Sequence, residues 1–349
     1  MEAPRIGITV GDPAGIGPEI VLASLEMLKD RISSGEMTIT VIGSAAPLLE
    51  RAHHLGKSIE LGDWDGHLVW PRISFFESTC QIGPVPLGAV SAEAGRQAYY
   101  AVEKAVELAG AQKIQAIVTA PLNKEALNLA GFQYTGHTDL LAKLTGCVDS
   151  CMMLAHGNLR VTHLSTHVSL ARVPALLTRA RLDRVLSLTF EALARLGIDS
   201  GRVAVAALNP HAGEGGIFGR EDILVTTPAI AAWRENRYDV VGPIPGDTVF
   251  VKAVAGQFDA VVAMYHDQGH IPIKLLGFRI DAQTNTFADL SGVNVTLGLP
   301  LIRTSVDHGT AFDIAGQGTA NPQSLMEAID YALMLVQGPK LAGPRGPMA

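Results

Sequence analysis

The sequence predicts an α/β protein built from two interleaved α/β subdomains, and three observations carry that prediction. Short apolar runs rich in β-branched residues alternate with helical patterns along the chain, as expected of strands covered by helices. Hydrophobic residues make up 48% of the 349 residues, enough for a sizeable core. No linker-like stretch separates one half from the other, which favours interleaved segments over domains in tandem. Residues 1–336 are read as a single unit of two such subdomains without a legible internal boundary. Residues 337–349, rich in Gly and Pro, are read as a flexible tail.

Taken in order, "RIGITV" reads as a strand and "PEIVLASLEMLKD" as a helix with Pro18 in its first turn. "TITVIG" is a second strand. "AEAGRQAYYAVEKAVELAG" is a helix with Tyr99, Val102, Val106 and Ala109 on one face and Gly110 as its stop. "IQAIVTA", "LRVTHLS", "RVAVAALN" and "FDAVVAMYH" are further strands, separated by helix-like stretches.

Composition narrows the function. Charged residues are 17% of the chain, against roughly 25% in typical soluble domains. The net charge of −7 argues against a nucleic-acid surface but leaves room for a local pocket that holds a small anion. No run reaches the ~20 apolar residues of a membrane span, and "MEAPRIGITVGDPAG" does not read as a secretory signal. A cytoplasmic protein is expected. Cys80, Cys147 and Cys151 have no metal-site spacing and read as free, buried thiols.

The loop "VGDPAGIGPEI" follows a strand and opens a helix, but it is a poor dinucleotide fingerprint. It lacks the third glycine, Pro18 removes an N–H, and Glu19 puts negative charge where a pyrophosphate would sit. A tight strand-to-helix turn lining a cleft is expected instead.

Three apolar runs lead into polar loops with a histidine: "THLSTHVSL" with His167, "ALNPHAGEGG" with His211 and "VVAMYHDQGHIP" with His266. Ligands of α/β sheets bind beyond the carboxyl ends of strands, so these imidazoles could converge on a divalent metal with an open coordination position. Read singly, each is an ordinary loop histidine. Lys124, His137, Thr138, Lys274 and Arg303 are candidates to hold an anion. Arg303 is the sharpest of them, because it follows the apolar run "GLPLI".

The motifs "GDPAGIGPEI", "TAPLNKEALNLAGFQYTGHTDLLA", "LNPHAGEGGIFGREDI", "GPIPGDTVF", "AMYHDQGHIPIK" and "GVNVTLGLPLIRTSVDHGTAFDIAGQGTANP" closely resemble the 4-hydroxythreonine-4-phosphate dehydrogenase (PdxA) family, from Ile6 to about Val336. "HGTAFDIAGQGTANP" is also similar to the NAD loop of isopropylmalate dehydrogenases. The resemblance implies a two-domain isocitrate/isopropylmalate dehydrogenase-like fold with an interdomain active-site cleft, in a homodimer with sites at the subunit interface. It implies a divalent metal, zinc first and magnesium or cobalt as alternatives, held by His167, His211 and His266 drawn from both subunits. It further implies substrate contacts at His137, Thr138, Lys274, Asn294 and Arg303. NAD, with NADP as the alternative, is then expected at His308, Gly309, Thr310, Ala311, Asp313 and Asn321. Lys274 is a clamp for carboxylate or phosphate. Asp247 and Asp267 are candidates either to handle protons or to orient the histidines.

The implied reaction is oxidation and decarboxylation of a 4-phosphorylated 3-hydroxy four-carbon acid. Between "LLGF" and "GVNVTLGLP" the chain carries "RIDAQTNTFADLS", longer than in the vitamin B6 enzymes. That length is similar to the branch acting on 4-phospho-D-threonate or 4-phospho-D-erythronate. The alternatives are a dehydrogenase of aromatic dihydrodiol carboxylates, a phosphoacyl transferase on a related fold and a non-catalytic binding protein.

Overall fold

The structure is a computed structural model, and it describes residues 3–64, 70–79, 83–281, 283 and 286–339. Cys80, and the expected tail from Lys340 onward, lie outside the described residues. The chain divides into two compact units, each assembled from separate segments. The first comprises Met1–Val148, Asp289–Val293 and Leu299–Val336, and the second Asp149–Ala288, Asn294–Gly298 and Gln337–Ala349.

The first unit is a parallel sheet with helices. Its strands are β1 (Arg5–Thr9), β2 (Thr38–Gly43), β3 (Glu60–Gly62), β4 (Arg72–Glu77), β5 (Ala116–Thr119) and β14 (Ile302–Val306), in the order β3-β4-β2-β1-β5-β14. Every pairing within this run is parallel. Parallel strands covered on both faces read as continuous apolar runs, and β5 is buried along its whole length. The helices are α1 (Gly17–Met27), α2 (Lys29–Ser33), α3 (Ala45–His54), α4 (Ala92–Gly110), α5 (Lys124–Leu129), α6 (His137–Thr145) and α12 (Gln323–Gln337). Ser91 caps α4 by accepting from Ala94 N–H at 3.2 Å, and Asn123 caps α5 by accepting from Ala126 N–H at 2.9 Å.

The face of α4 that is buried is wider than the expected stripe. Ala94, Ala98, Ala101, Ala105 and Leu108 join Tyr99 and Val102, whereas Val106 and Ala109 are only partly buried. The helix ends at Gly110 as expected, but the left-handed turn that follows is taken by Gln112, at φ 57°, after Ala111 as the cap.

The second unit holds β6 (Cys151–His156), β7 (Leu159–His163), β8 (Val203–Ala206), β9 (Val240–Ile244), β10 (Ala260–Ala263) and most of β13 (Val293–Leu297), in the order β13-β6-β7-β10-β8-β9. β6 and β7 form an antiparallel hairpin, while β10 runs parallel to β7 and β8, and β8 parallel to β9. A separate two-stranded ribbon pairs β11 (Phe278–Asp281) with β12 (Thr286–Leu290). The helices are α7 (Val173–Leu176), α8 (Arg179–Arg195), α9 (Thr227–Glu235), α10 (Gly246–Val254) and α11 (His266–Gly277). Leu154, Val161, Ala204, Val249, Val261 and Ile273 share its core. Each buried Val, Leu or Ile among them contributes about 1.5–3 kcal/mol relative to leaving it in water.

Among the described residues no helix is long and apolar enough to cross a membrane. Cys151 is buried and Cys147 half-buried.

Candidate active site

In the second unit the parallel pairing of β7, β10 and β8 brings their carboxyl ends to one edge. His167 lies just beyond β7, His211 beyond β8, and His266 is the first residue of α11 after β10. The three histidines therefore stand at a common edge. Two of them meet: the rings of His167 and His266 have centroids 5.8 Å apart and are tilted by 42°.

Asp267 Oδ1 lies 2.7 Å from His266 Nδ1. An ionised carboxylate only accepts hydrogen bonds, so Nδ1 carries the hydrogen and Nε2 presents its lone pair. The geometry gives Asp267 an orienting contact. Behind this pair His270 stacks on His266 with centroids 3.6 Å apart, and His163 stands 4.8 Å beyond His270. Burial, helped by the neighbouring His270, pushes His163 down to about 3, so it is a neutral core imidazole.

His211 is placed differently. It opens a run of positive φ that includes His211 (51°), Ala212 (54°) and Glu214 (41°) as well as Gly213, Gly215 and Gly216. The left-handed conformation costs about 1–2 kcal/mol for each residue that carries a Cβ. What secures the root of this loop is buried Asp222, whose carboxylate accepts from Leu208 and Asn209 N–H, both at 3.0 Å. The tip is exposed, and Ile217 and Phe218 stand exposed beside it. Among the described residues no three His, Cys, Asp or Glu side chains gather into a metal-holding group. His211 therefore does not join His167 and His266 in such a group.

The His167–His266 pair nevertheless fits part of a metal site. An imidazole nitrogen sits about 2.1 Å from a bound zinc, so two rings on one cation have centroids on the order of 5–6 Å apart. Asp247 occupies the first turn of α10, after β9, and is exposed.

In the same unit Lys274, in the last turn of α11, holds its Nζ 4.2 Å from the ring centroid of Phe278, a cation–π contact made by the first residue of the β11–β12 ribbon. The ribbon is the segment that the sequence marks as longer than in the vitamin B6 enzymes. Asn294, on β13, keeps its Oδ1 buried with no hydrogen-bond partner among the described residues.

The first unit buries a cation. Arg303 on β14 is 2% exposed and donates through Nη2 to Thr119 Oγ1 at 2.7 Å. Burial lowers its pKa to about 9, so at neutral pH it is a desolvated cation. His137, the first residue of α6, sits close enough to feel that charge: burial first, then Arg303, holds it well below the ordinary histidine value. Its Nε2 is buried without a partner among the described residues. Thr138 follows on the same turn. Lys124 reaches toward that turn, with Cε 3.5 Å from where a Cβ on Gly136 would lie. A buried guanidinium beside a neutral imidazole suits a phosphate or carboxylate.

The residues expected to hold NAD lie on one open stretch after β14. Gly309 and Asp313 are exposed, a Cβ at Gly309 would meet nothing within 4 Å, and Ala311 turns the chain at φ 42°. His308 Nδ1 lies 3.0 Å from the Gly309 carbonyl, and Asn321 Oδ1 accepts from Gln323 N–H at 2.8 Å at the start of α12. An open backbone edge with a projecting carboxylate fits a ribose of a dinucleotide.

Residues 11–20, the turn after β1 and the start of the helix that follows, are buried throughout, and Pro13 lines a pocket with Arg51, His54 and Leu87. Gly15 is packed under the later loop, where a Cβ would lie 2.7 Å from the Thr310 carbonyl oxygen. Asp12 in this turn was not a sequence candidate. Its carboxyl is raised to about 6 by burial, Oδ1 accepts from Ala14 N–H at 2.9 Å, and Oδ2 has no partner among the described residues. The sequence signal for Asp12 was an acid at the mouth of a largely apolar strand. Asp222 and His163 carried no such signal, because their roles depend on contacts distant in sequence.

A family model described as pyridoxal phosphate biosynthetic protein PdxA matches residues 17–332. A Bradyrhizobium diazoefficiens protein, provisionally named D-threonate 4-phosphate dehydrogenase, is 56% identical over 339 residues, spanning 97% of this chain and 98% of its own. The Salmonella typhimurium D-threonate 4-phosphate dehydrogenase is 45% identical, over 96% of this chain and 100% of its own. The crystal structure of 4-hydroxythreonine-4-phosphate dehydrogenase from Klebsiella pneumoniae superposes with a TM-score of 0.79 at 42% identity, covering 96% of this chain and 98% of that one. With a family model spanning most of its length and relatives this similar end to end, the chain belongs to the PdxA family.

Proposed function

We propose that the chain is an NAD-dependent dehydrogenase that oxidises and decarboxylates a 4-phosphorylated 3-hydroxy four-carbon acid, with 4-phospho-D-threonate or 4-phospho-D-erythronate ahead of 4-hydroxy-L-threonine 4-phosphate. The observation that carries this reading is 56% identity, over nearly the whole of both chains, to a protein named for D-threonate 4-phosphate. The site geometry supports it at three points.

Arg303 and His137 supply a desolvated cation and a neutral imidazole for one anionic end of the substrate. Within the second unit, Lys274, held against Phe278, and the unsatisfied Asn294 Oδ1 are polar groups of the kind such a substrate requires. His167 and His266 would hold a divalent metal, zinc first, with His266 fixed by Asp267 and with His211 as the third donor. When bound, the cation supplies Lewis acidity toward the C3 hydroxyl and NAD supplies the hydride acceptor. In the net reaction the C3 alcohol becomes a ketone and the carboxyl group leaves as CO₂. Asp247, exposed at the start of α10, is the candidate to return a proton to the product.

Exposed apolar side chains follow each of the three histidines in sequence: Leu170 after His167, Ile217 and Phe218 after His211, and Ile271 and Leu275 on the helix that His266 opens. Exposed apolar surface marks an interface, which supports a homodimer.

The test is NADH formation by the metal-supplied protein with each of the three substrates, with and without chelator, alongside its mass by light scattering. Chelator-sensitive NADH from the sugar-acid phosphates and a dimer mass are expected. NADH from the amino acid alone would move the enzyme to vitamin B6 synthesis. No NADH from any of them would end the reading and leave dihydrodiol acids or acyl phosphates as substrates to try.

A further inference from the structure

Glu19 is the acid that disqualifies the first glycine-rich turn as a pyrophosphate site, and the proposed reaction does not use it. Its carboxylate is 3% exposed and is paired with Arg51 of α3, itself 6% exposed. The same carboxylate accepts from two backbone N–H groups of the later loop, Gly316 on Oε1 and Gly318 on Oε2, the latter at 3.0 Å. Arg51 also donates to the turn, through Nη1 to the Gly15 carbonyl at 3.1 Å and through Nη2 to that of Pro13 at 3.4 Å.

The other end of the loop is fastened to the same turn, since Ile16 N–H donates to the Thr310 carbonyl at 3.0 Å. Gly316 takes φ 84° and Gly318 φ 69°, and a Cβ at Gly316 would lie 2.5 Å from a Leu87 methyl. Both anchors are therefore built for close approach. Between them stand Ala311, held at φ 42°, and the exposed Asp313.

We propose that the buried Glu19–Arg51 pair is a positioning device that sets the 310–318 loop in the shape that receives the dinucleotide, by fixing the Gly316 and Gly318 amides. The inference rests on the reading of that loop as the NAD site. The physical case is that one carboxylate offers enough lone pairs for all three donors, and that Arg51 supplies the charge that lets it be buried. A neutral acceptor could not hold both the guanidinium and two amides with charge-assisted bonds. The loop is thereby ordered before ligand arrives, so binding does not carry that ordering cost.

The experiment is NAD titration without turnover, read by calorimetry, on the full-length wild type, Glu19→Gln and Arg51→Lys. It is accompanied by amide hydrogen exchange of peptides covering 308–318 and by steady-state kinetics. Glu19→Gln is expected to weaken NAD binding about tenfold, the size of one lost charge-assisted bond. Its KM for NAD should change more than its kcat, and the 316–318 amides should exchange faster. Arg51→Lys keeps the charge and should recover part of the affinity, and it serves as the readable variant if Glu19→Gln does not fold. NAD affinity and loop exchange unchanged in both variants would overturn the proposal while leaving the loop's role intact. A wild type that binds neither NAD nor NADP would overturn the premise as well, and that result is read on the unaltered protein alone.

Discussion

Two loops carry most of the proposed site, and they are held in opposite ways. The 308–318 loop of the first unit is fastened at both ends to the turn after β1, by Thr310 and by the Gly316 and Gly318 amides. The 210–219 loop of the second unit is fastened at its root by Asp222, while His211 sits on an exposed tip in a left-handed turn with Ile217 and Phe218 beside it. A loop whose work lies inside its own unit can be finished by that unit's hydrogen bonds. A loop that stays strained and apolar at its tip is not finished in that way. On the proposed reading, the cofactor side is preorganised within one chain and the metal side would be completed by a second.

The sharpest way to break that comparison is subunit complementation. His211→Ala and His266→Ala are each expected to lose more than about a thousandfold in kcat/KM, the scale of losing a catalytic metal. If the metal set takes these two histidines from different subunits, mixing the two inactive variants under exchange conditions rebuilds one intact site in each mixed dimer. Activity should then return to about a quarter of wild type, half the dimers being mixed with one working site of two. No recovery, with exchange verified by mass, would show that each chain keeps its own set.

A smaller effect is expected at Arg303, which tests whether the first unit's buried cation holds an anion. Arg303→Met should raise KM for the phosphorylated substrate about a hundredfold, in the range found for truncating a buried charge that pairs with a ligand. It should not lower stability, because it removes a desolvated cation. The pH dependence follows the same group. Its pKa is lowered to about 9 by burial, and only the protonated form attracts an anion, so kcat/KM should fall as pH rises through about 9. A profile that stays flat to higher pH, or a variant that binds substrate normally, would take Arg303 out of the site.

Much of this was legible in the sequence, for reasons that differ by residue. The strands announced themselves because parallel strands buried on both faces must be apolar throughout, as in "AIVT" and "AVVA". The common edge of His167, His211 and His266 followed from their place at strand ends. Which of them meet did not, because that depends on the strand order β7-β10-β8 and on loop conformation. The turn after β1 was legible only in part, for a related reason. Its glycines signal close approach, but only the fold reveals that the approaching partner is Thr310 rather than a ligand. Glu19 could be read as hostile to a phosphate. That its carboxylate collects Arg51 and two amides nearly 300 residues downstream is a tertiary fact.

The smallest effect concerns one histidine in each unit whose pKa burial lowers, His137 in the first and His163 in the second. Burial lowers the pKa of both, so the unfolded chain takes up protons that the folded one refuses. For His163 the folded value is about 3 against an ordinary 6.5. The stability tied to its neutrality is fully present above 6.5 and is lost as pH falls through that window toward 3, by about 1.4 kcal/mol per pH unit. Between pH 6.5 and 5 this amounts to about 2 kcal/mol, drawn from the second unit. His163→Gln keeps a polar side chain near the Met152 carbonyl but cannot take up the proton. It should be less stable than wild type at pH 7, with the gap narrowing by about 2 kcal/mol at pH 5 in denaturant titrations. A gap that does not change with pH would mean that His163 is protonated in the fold or that acid opens the first unit, with His137, before the second.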